Sequence, residues 1–236
     1  FLPAWAADGG REALLERLAD SSTRERMRKE LGERVRLDPG AFDLIVISSV
    51  RSERNRGIIG KDVAAIAGEW GVEPVDALIL LLEGEESVGF IGHGMSQENV
   101  DRVLSHPLVM IGSDGSSMAP RGEAVRSRPH PRSYGTFARV LGHYSRDRAL
   151  FDLPTAVKKM TSMPADQAGI ADRGRLARGM KADLVIFDAG RITDTATFDD
   201  PHRYAEGIRH VVVNGVGVVE EGVHTGARPG NVLRRS

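Results

Sequence analysis

A short apolar run that ends in a small polar loop most constrains how this chain can fold. The run Leu108–Ile111 is apolar at every position and is stopped by Gly112. Such a run is typical of a strand that is buried on both faces, as in a parallel sheet. Parallel α/β folds and (β/α)8 barrels place their chemistry at the carboxyl ends of these strands. We therefore predict an α/β fold in which Asp114 lies at the end of a buried strand.

Asp114 itself has two interpretations. It stands between Gly112 and Gly115, where the backbone can turn sharply and a ligand can approach closely. Asp and Gly are also ordinary turn residues, so this carboxylate could serve only to cap a turn. The long loop that follows Asp114 is rich in Arg, Pro and His. The pattern of residues 134–144 then predicts the start of a helix.

The rest of the chain alternates between helical and strand-like patterns. Helices are predicted at 10–31 (two helices, the second capped by Ser21 or Ser22), 61–69, 74–83, from Ser96 onward, and at 154–160 with a break at Pro164. Strands are predicted at 44–47, 88–91, 182–188 and 210–222, the last with an Asn214-Gly215 hairpin turn. The order strand, helix, strand over 88–111 predicts one βα repeat of a barrel.

Composition limits the classes of partner. A formal net charge of -1 gives no reason to expect nucleic acid or a membrane surface, and no apolar run is long enough to span a bilayer. The chain has no cysteine, which excludes disulfides and thiolate ligands within it. We expect a cytoplasmic location. The chain opens with FLPAW rather than Met, a start that we interpret as part of a longer protein.

Three separated motifs point to a known family. They are MIGSDG, HPRSYGTFARVLGHY and KKMTSMPADQAGIADRGRLARGMKADLVIFD. In order and spacing they resemble the N-acyl-D-amino-acid deacylases (D-aminoacylases), metal-dependent members of the amidohydrolase superfamily. The resemblance runs from about Phe1 to the carboxyl end, and it implies that the chain is the C-terminal half of such an enzyme.

The resemblance implies how the chain is divided. Residues 1–171 would be the C-terminal part of a metal-dependent (β/α)8 (TIM) barrel, with an insertion near 1–87 that covers the barrel mouth. Residues 172–236 would be strands of a small β-sandwich. The N-terminal half of the enzyme, as another chain or a missing segment, would be the partner that supplies the other strands of that sandwich.

The resemblance also implies a zinc cofactor, held in the family by a His-x-His pair and further histidines. The histidines of this chain are His93, His106, His130, His143, His202, His210 and His224. No two of them stand at His-x-His spacing or at the i,i+4 spacing of a zinc-binding helix. We therefore predict that the zinc ligands lie in the missing N-terminal half and that this chain contributes none.

The resemblance implies the residues of an active site. Asp114 would act as general base and then acid, taking a proton from the nearby metal-bound water and passing it to the leaving amine. Arg132 would bind the α-carboxylate of an N-acyl-D-amino acid through the planar, bidentate donors of its guanidinium. Weaker candidates for substrate binding are Ser49, in the covering insertion, and His130 and Tyr134, which flank Arg132.

Two other functions stay open. The first is a cyclic amidase of the same superfamily, similar to dihydroorotase or hydantoinase. The HPRSYGTF loop argues against it, because a ring substrate does not present the same free carboxylate. The second is a catalytically inactive fragment or carboxylate-binding module, for which the missing histidine set is the evidence.

Overall fold

The computed structural model describes residues 2–38 and 40–233, and the chain divides into two compact units. The first unit comprises Phe1–Gly94 with Arg121–His130. The second unit comprises Met95–Pro120 with Pro131–Ser236. The polypeptide therefore passes from the second unit to the first at residue 121 and returns at residue 131, within the loop that follows Asp114.

The first unit opens with helices α1 (Ala4–Ala7), α2 (Gly10–Ala19) and α3 (Ser21–Leu37). The two helices predicted over 10–31 are confirmed. The predicted cap is wrong, since Asp20 rather than Ser21 or Ser22 fills that role. Its Oδ2 accepts hydrogen bonds from the Ser22 hydroxyl at 2.6 Å and from the Thr23 N–H at 2.7 Å. These bonds lower the pKa of Asp20 to about 2, and a carboxylate is the stronger acceptor for free N–H groups at a helix start.

The first unit continues with β1 (Ile45–Val50), a 3-10 helix (Glu53–Ile58), α4 (Val63–Trp70), α5 (Pro74–Gly84) and β2 (Val88–Gly92). Each predicted helix and strand in this region is confirmed. The two strands pair with each other in antiparallel order, with a bulge between Ile47 and Ser49. The core of the first unit includes Ile47 of β1, Ile66 of α4 and Leu81 of α5, which are almost fully buried.

The second unit contains α6 (Gln97–Ser105), α7 (Arg132–Arg139), a π-helix (Val140–Asp147), α8 (Leu153–Met160) and α9 (Ser162–Ala168). Ser96 caps α6 as predicted, because its hydroxyl accepts the Asn99 N–H at 3.2 Å. The predicted break at Pro164 is misplaced, since the helix breaks at Thr161. Pro164 lies in the first turn of α9, where a missing N–H leaves no helical hydrogen bond unmade.

The buried strand predicted at Leu108–Ile111 is wrong. The run forms no strand, Leu108 is 78% exposed, and only Ile111 is buried. Instead of joining a sheet, the Ile111 N–H donates to the carbonyl of Lys159 on α8 at 3.0 Å. A strand needs neighbours to accept its backbone hydrogen bonds, and the described residues of the second unit place none beside this run. The predicted βα repeat over 88–111 is therefore not formed within the described part of the chain.

The carboxyl-terminal part of the second unit is an antiparallel sheet. Its strands are β3 (Leu184–Phe187), β4 (Ile208–Val213), β5 (Val216–Glu220) and β6 (Val223–His224), in that order across the sheet. Asn214 and Gly215 have φ values of 49° and 80°, as the hairpin turn predicted between β4 and β5 requires. None of the helices in the described ranges is both long enough and apolar enough to cross a membrane.

Glu85, which follows α5, is a buried carboxylate that fixes the loop after β1. It is 1% exposed. Its Oε2 accepts the N–H groups of Arg51 and Ser52, both at 2.9 Å, and its Oε1 accepts Asn55 Nδ2 at 2.5 Å and the Ser52 hydroxyl. Burial alone would raise the pKa of Glu85, but these hydrogen bonds outweigh it and hold the pKa below its ordinary value.

Replacing Glu85 by glutamine is expected to lower the free energy of unfolding by about 1–3 kcal/mol at neutral pH, because the amide NH2 would face N–H donors left without an acceptor. The folded-state pKa of Glu85 is depressed. Its stabilising contribution is therefore complete above the ordinary glutamate pKa and is lost as the pH falls through the folded-state value. Urea unfolding measured from neutral to acidic pH tests this, with the exposed neighbour Glu86→Gln as control. Equal stability of Glu85→Gln and wild type at neutral pH would contradict it.

Candidate active site

Asp114 combines a constrained backbone with a side chain that points into solvent. Its φ is 47°, in the left-handed region that a non-glycine residue rarely occupies. Its side chain is 84% exposed. The preceding residue Ser113 accepts the Gly115 N–H on its hydroxyl at 3.2 Å, which closes a tight local turn around Asp114. The loop thus presents a carboxylate outward from a fixed backbone.

Gly115 explains how this loop lies against the start of α7. A Cβ built at position 115 would lie 2.9 Å from Ser133 Cα and 3.0 Å from the Arg132 carbonyl oxygen, so a side chain would clash with backbone. The Ser133 hydroxyl also accepts the Ser116 N–H at 3.3 Å. Glycine at this position therefore allows the Asp114 loop to pack on the first turn of the helix that carries Arg132.

Asp114 and Arg132 are brought together by this packing. Arg132 is the first residue of α7, and its Nη2 lies 2.8 Å from Asp114 Oδ2. The Asp114 side chain is 84% exposed and the Arg132 side chain is 44% exposed, so the ion pair adds little to the stability of the fold. Its consequence is geometric, because a guanidinium at hydrogen-bond distance orients the carboxylate it contacts.

Tyr134 lies two residues further along α7 and contacts aromatic residues of the same unit. Its hydroxyl is 3.0 Å from His202 Nδ1, and its ring centre is 5.9 Å from that of Tyr204. Burial, together with the neighbouring Tyr204, raises the pKa of Tyr134, so the hydroxyl stays protonated at neutral pH. The sequence gives no signal for the pairing with His202, which lies 68 positions away along the chain.

Ser49 and His130 belong to the first unit, whereas Asp114, Arg132 and Tyr134 belong to the second. Ser49 follows the bulge in β1, a feature that often redirects a side chain near a functional site. Ser49 and His130 are both half-buried. Their part in substrate binding stays a prediction.

The described residues do not form a metal site of their own. Within 2–38 and 40–233, no three or more side chains of His, Cys, Asp or Glu are grouped so that they could hold a metal ion. A resident zinc therefore does not fit the side chains that this part of the chain provides.

Lys159 is a residue that sequence reasoning missed. It lies in the last turn of α8, and its side chain is 1% exposed. Its Nζ donates to the carbonyl oxygens of His106 at 2.6 Å and Val109 at 2.8 Å. Helical spacing places Lys159 three residues after Ala156, on the same helix face, but charged residues are ordinarily exposed, so this spacing alone does not predict burial.

An apolar cavity of about 680 Å³ also lies within the second unit. Phe137 and Leu141 line it on one side, and Val185 and Ile186 of β3 line it on another. Val185 and Ile186 are 54% and 53% exposed. Contiguous exposed apolar surface of this kind is typical of a face that another segment or chain covers.

Comparison with known proteins gives one consistent family. The profile of the amidohydrolase family matches residues 60–219, which is more than half of the chain. A D-aminoacylase from Alcaligenes xylosoxydans xylosoxydans is 45% identical over 177 residues, covering 75% of this chain and 34% of that protein. The predicted resemblance to the deacylases is thereby confirmed.

Solved structures agree. A D-aminoacylase studied for the functional role of its binuclear metal center matches with a TM-score of 0.68 and 41% identity, over 78% of this chain and 36% of that one. An N-acyl-D-glutamate deacylase from Bordetella bronchiseptica, complexed with zinc and a phosphonate mimic of the tetrahedral intermediate, matches with a TM-score of 0.66 and 37% identity, over 76% and 36% of the two chains. The chain spans about a third of the length of these relatives.

Proposed function

We propose that this chain, which belongs to the amidohydrolase family, supplies proton transfer and carboxylate binding to a zinc-dependent N-acyl-D-amino-acid deacylase. The complete enzyme would hydrolyse an N-acyl-D-amino acid to a carboxylate and a free D-amino acid. The observation that carries the proposal is the 2.8 Å pair of Asp114 and Arg132, a proton acceptor beside a carboxylate-binding cation. Its position in a chain 45% identical to a D-aminoacylase supports the substrate class.

Asp114 would move the proton that amide hydrolysis requires. As water attacks the acyl carbon, the Asp114 carboxylate takes a proton from that water. When the C–N bond breaks, the same group gives the proton to the nitrogen, because an amine leaves poorly unless it is protonated. The exposed carboxylate on a fixed backbone suits this role, since it can reach both the water and the leaving nitrogen.

Arg132 would hold the α-carboxylate of the substrate. A guanidinium has five N–H donors in a planar fork, so it can contact Asp114 and bind a second carboxylate at the same time. This arrangement would place the bound amino acid beside Asp114 and thereby couple substrate binding to proton transfer. Tyr134, Ser49 and His130 are proposed as further substrate contacts, on the strength of the resemblance alone.

The zinc of the complete enzyme would be held by residues outside this chain, as the lack of a ligand group among the described residues supports. We further propose that the chain completes a (β/α)8 barrel and a β-sandwich with the N-terminal part of the enzyme. The antiparallel sheet β3–β6 falls within 172–236, the range predicted for the sandwich. The apolar cavity beside Val185 and Ile186 supports a covering partner.

This chain expressed alone is expected to hydrolyse no N-acyl-D-amino acid and to retain no stoichiometric zinc, because the part of the chain that the structure describes holds no group of His, Cys, Asp or Glu that could bind the metal. Metal analysis after dialysis, with the complete enzyme as control, measures this. One tightly held zinc per chain would contradict the expectation.

The proposed function is tested by following release of free amino acid from N-acetyl-D- and N-acetyl-L-amino acids by the complete enzyme. The proposal expects turnover of the D-form only. Turnover of a dihydroorotate or hydantoin ring without turnover of the N-acyl-D-amino acid would identify a cyclic amidase instead.

A further inference from the structure

Lys159 is a buried cation whose hydrogen-bond acceptors are backbone carbonyl oxygens, and its Nζ also lies 5.8 Å from the centre of the Phe151 ring. Its side chain is 1% exposed, and its Nζ donates to the carbonyls of His106 and Val109 at 2.6 and 2.8 Å. Among the described residues, no carboxylate forms an ion pair with it. Burying a charge without an opposite charge is costly, and an apolar side chain of similar shape would avoid that cost. Lys159 therefore needs an explanation beyond filling the core.

The same residue also holds the chain just before Asp114. The backbone carbonyl of Lys159 accepts the Ile111 N–H at 3.0 Å, so its side chain and its backbone together make three hydrogen bonds to the segment 106–111. That segment forms no strand and has no sheet neighbours in the described second unit to hold it. Lys159 on α8 takes the place of the missing sheet as the upstream anchor.

The downstream side of Asp114 is anchored separately. Gly115 packs closely against the first turn of α7. A Cβ built at position 115 would lie only 3.0 Å from the Arg132 carbonyl oxygen. Asp114 thus stands in a short span between two helices, with Lys159 fixing one end and α7 fixing the other. A displacement on the order of 1 Å at a reacting group can lower a rate by about 10²-fold.

We propose that Lys159 is a positioning residue, which holds the segment 106–111 so that the carboxylate of Asp114 stands beside Arg132 in the geometry needed for proton transfer. The inference rests on the proposed function and adds to it a residue that touches neither substrate nor the reacting atoms.

A double-mutant cycle in the complete enzyme tests the proposal. Lys159→Met keeps the approximate shape but removes the donors, and it is expected to lower kcat by about 10-fold or more with KM changed by less than about 3-fold. In an Asp114→Asn background the same substitution is expected to change the residual rate by less than about 2-fold, because the group that it positions is already gone. Lys158→Met, on the exposed side of the same helix, is the matched control.

Hydrogen exchange of the Ile111 amide gives a readout that does not depend on activity. Lys159→Met is expected to speed that exchange by about 10-fold or more, since the anchored segment would open more readily, whereas Lys158→Met leaves it unchanged. Lys159→Gln, which keeps an N–H2 donor without the charge, should fall between wild type and Lys159→Met in both exchange and kcat. It also serves as the second variant if Lys159→Met does not fold.

The outcomes distinguish failure of the positioning role of Lys159 from failure of the proposed catalytic role of Asp114. An equal fall of kcat in the wild-type and Asp114→Asn backgrounds would show general destabilisation and overturn the positioning role. Unchanged kcat and unchanged Ile111 exchange in either Lys159 variant would overturn it as well. Full activity of Asp114→Asn by itself would instead contradict the proposed function, while the exchange of Ile111 would still decide whether Lys159 anchors the segment.

Discussion

Replacing Asp114 by asparagine in the complete enzyme is expected to lower kcat by about 10²-fold or more, a typical contribution of general acid–base catalysis. The amide keeps the shape of the side chain and can still contact Arg132, which lies 2.8 Å from the carboxylate. It cannot take a proton from the attacking water or return one to the leaving nitrogen. Metal content and KM are therefore expected to stay close to wild type, so that the loss falls on the chemical step.

A matched control exists in the same unit. Asp166 is also an exposed carboxylate in an ion pair with an arginine, Arg175, at 2.5 Å. Asp166→Asn is expected to change kcat by less than about 2-fold, because removal of an exposed ion pair costs little. Steady-state kinetics with metal analysis of both variants provide the comparison. Near-normal turnover in Asp114→Asn would return Asp114 to the role of a turn residue.

Replacing Arg132 by alanine is expected to reduce kcat/KM by the equivalent of about 2–5 kcal/mol, the loss found when one partner of a buried, hydrogen-bonded charge pair is removed, which Arg132 and the α-carboxylate of a bound substrate would form. Most of the loss should appear in KM, because the α-carboxylate of the substrate loses its partner. Some should appear in kcat, because Arg132 also orients Asp114. Lysine should restore only part of the activity, since an ammonium is a point charge without the planar fork.

The discriminating substrate pair is the N-acyl-D-amino acid and its α-carboxamide. Wild type should prefer the acid strongly, and Arg132→Ala should lose most of that preference. Arg175→Ala is the matched control, since Arg175 is 42% exposed and Arg132 is 44% exposed, and each pairs with an aspartate. If wild type and Arg132→Ala discriminate acid from amide equally well, the carboxylate is held elsewhere. Arg51 and Arg54, which lie close to Ser49 in the insertion predicted to cover the barrel mouth, then become the better candidates.

Several local features of the fold were predictable from sequence, although the cap of α3 and the break after α8 were misplaced by one to three residues. The failed strand depends on distant partners. The helix cap at Ser96 and the Asn214-Gly215 turn are settled by hydrogen bonds and φ values within a few residues. The run Leu108–Ile111 has the composition of a buried strand, yet a strand exists only beside other strands. In the described part of the second unit, the Ile111 N–H donates to Lys159 of α8 and not to a neighbouring strand, so the run joins no sheet.

In the candidate site, likewise, individual residues can be singled out from sequence but their contacts cannot. The motifs point to Asp114 and Arg132 as separate members of a constellation, but their contact depends on Gly115 packing against α7 across the intervening loop. Glu85 and Lys159 escaped prediction because charged residues are ordinarily exposed. Their burial is decided by backbone groups that lie 33 to 53 positions away along the chain. No periodicity in the sequence reports such partners.

The measurement that tests the central claim most directly is a crystal structure of the complete enzyme bound to a phosphonate analogue of an N-acyl-D-amino acid. The account predicts that the α-carboxylate of the analogue lies at hydrogen-bond distance from the guanidinium of Arg132. It also predicts that the carboxylate of Asp114 lies about 2.6–3.2 Å from a phosphonate oxygen, the reach that general acid–base catalysis requires. An analogue whose carboxylate is bound by residues other than Arg132, with Asp114 turned away from the phosphonate, would contradict the account.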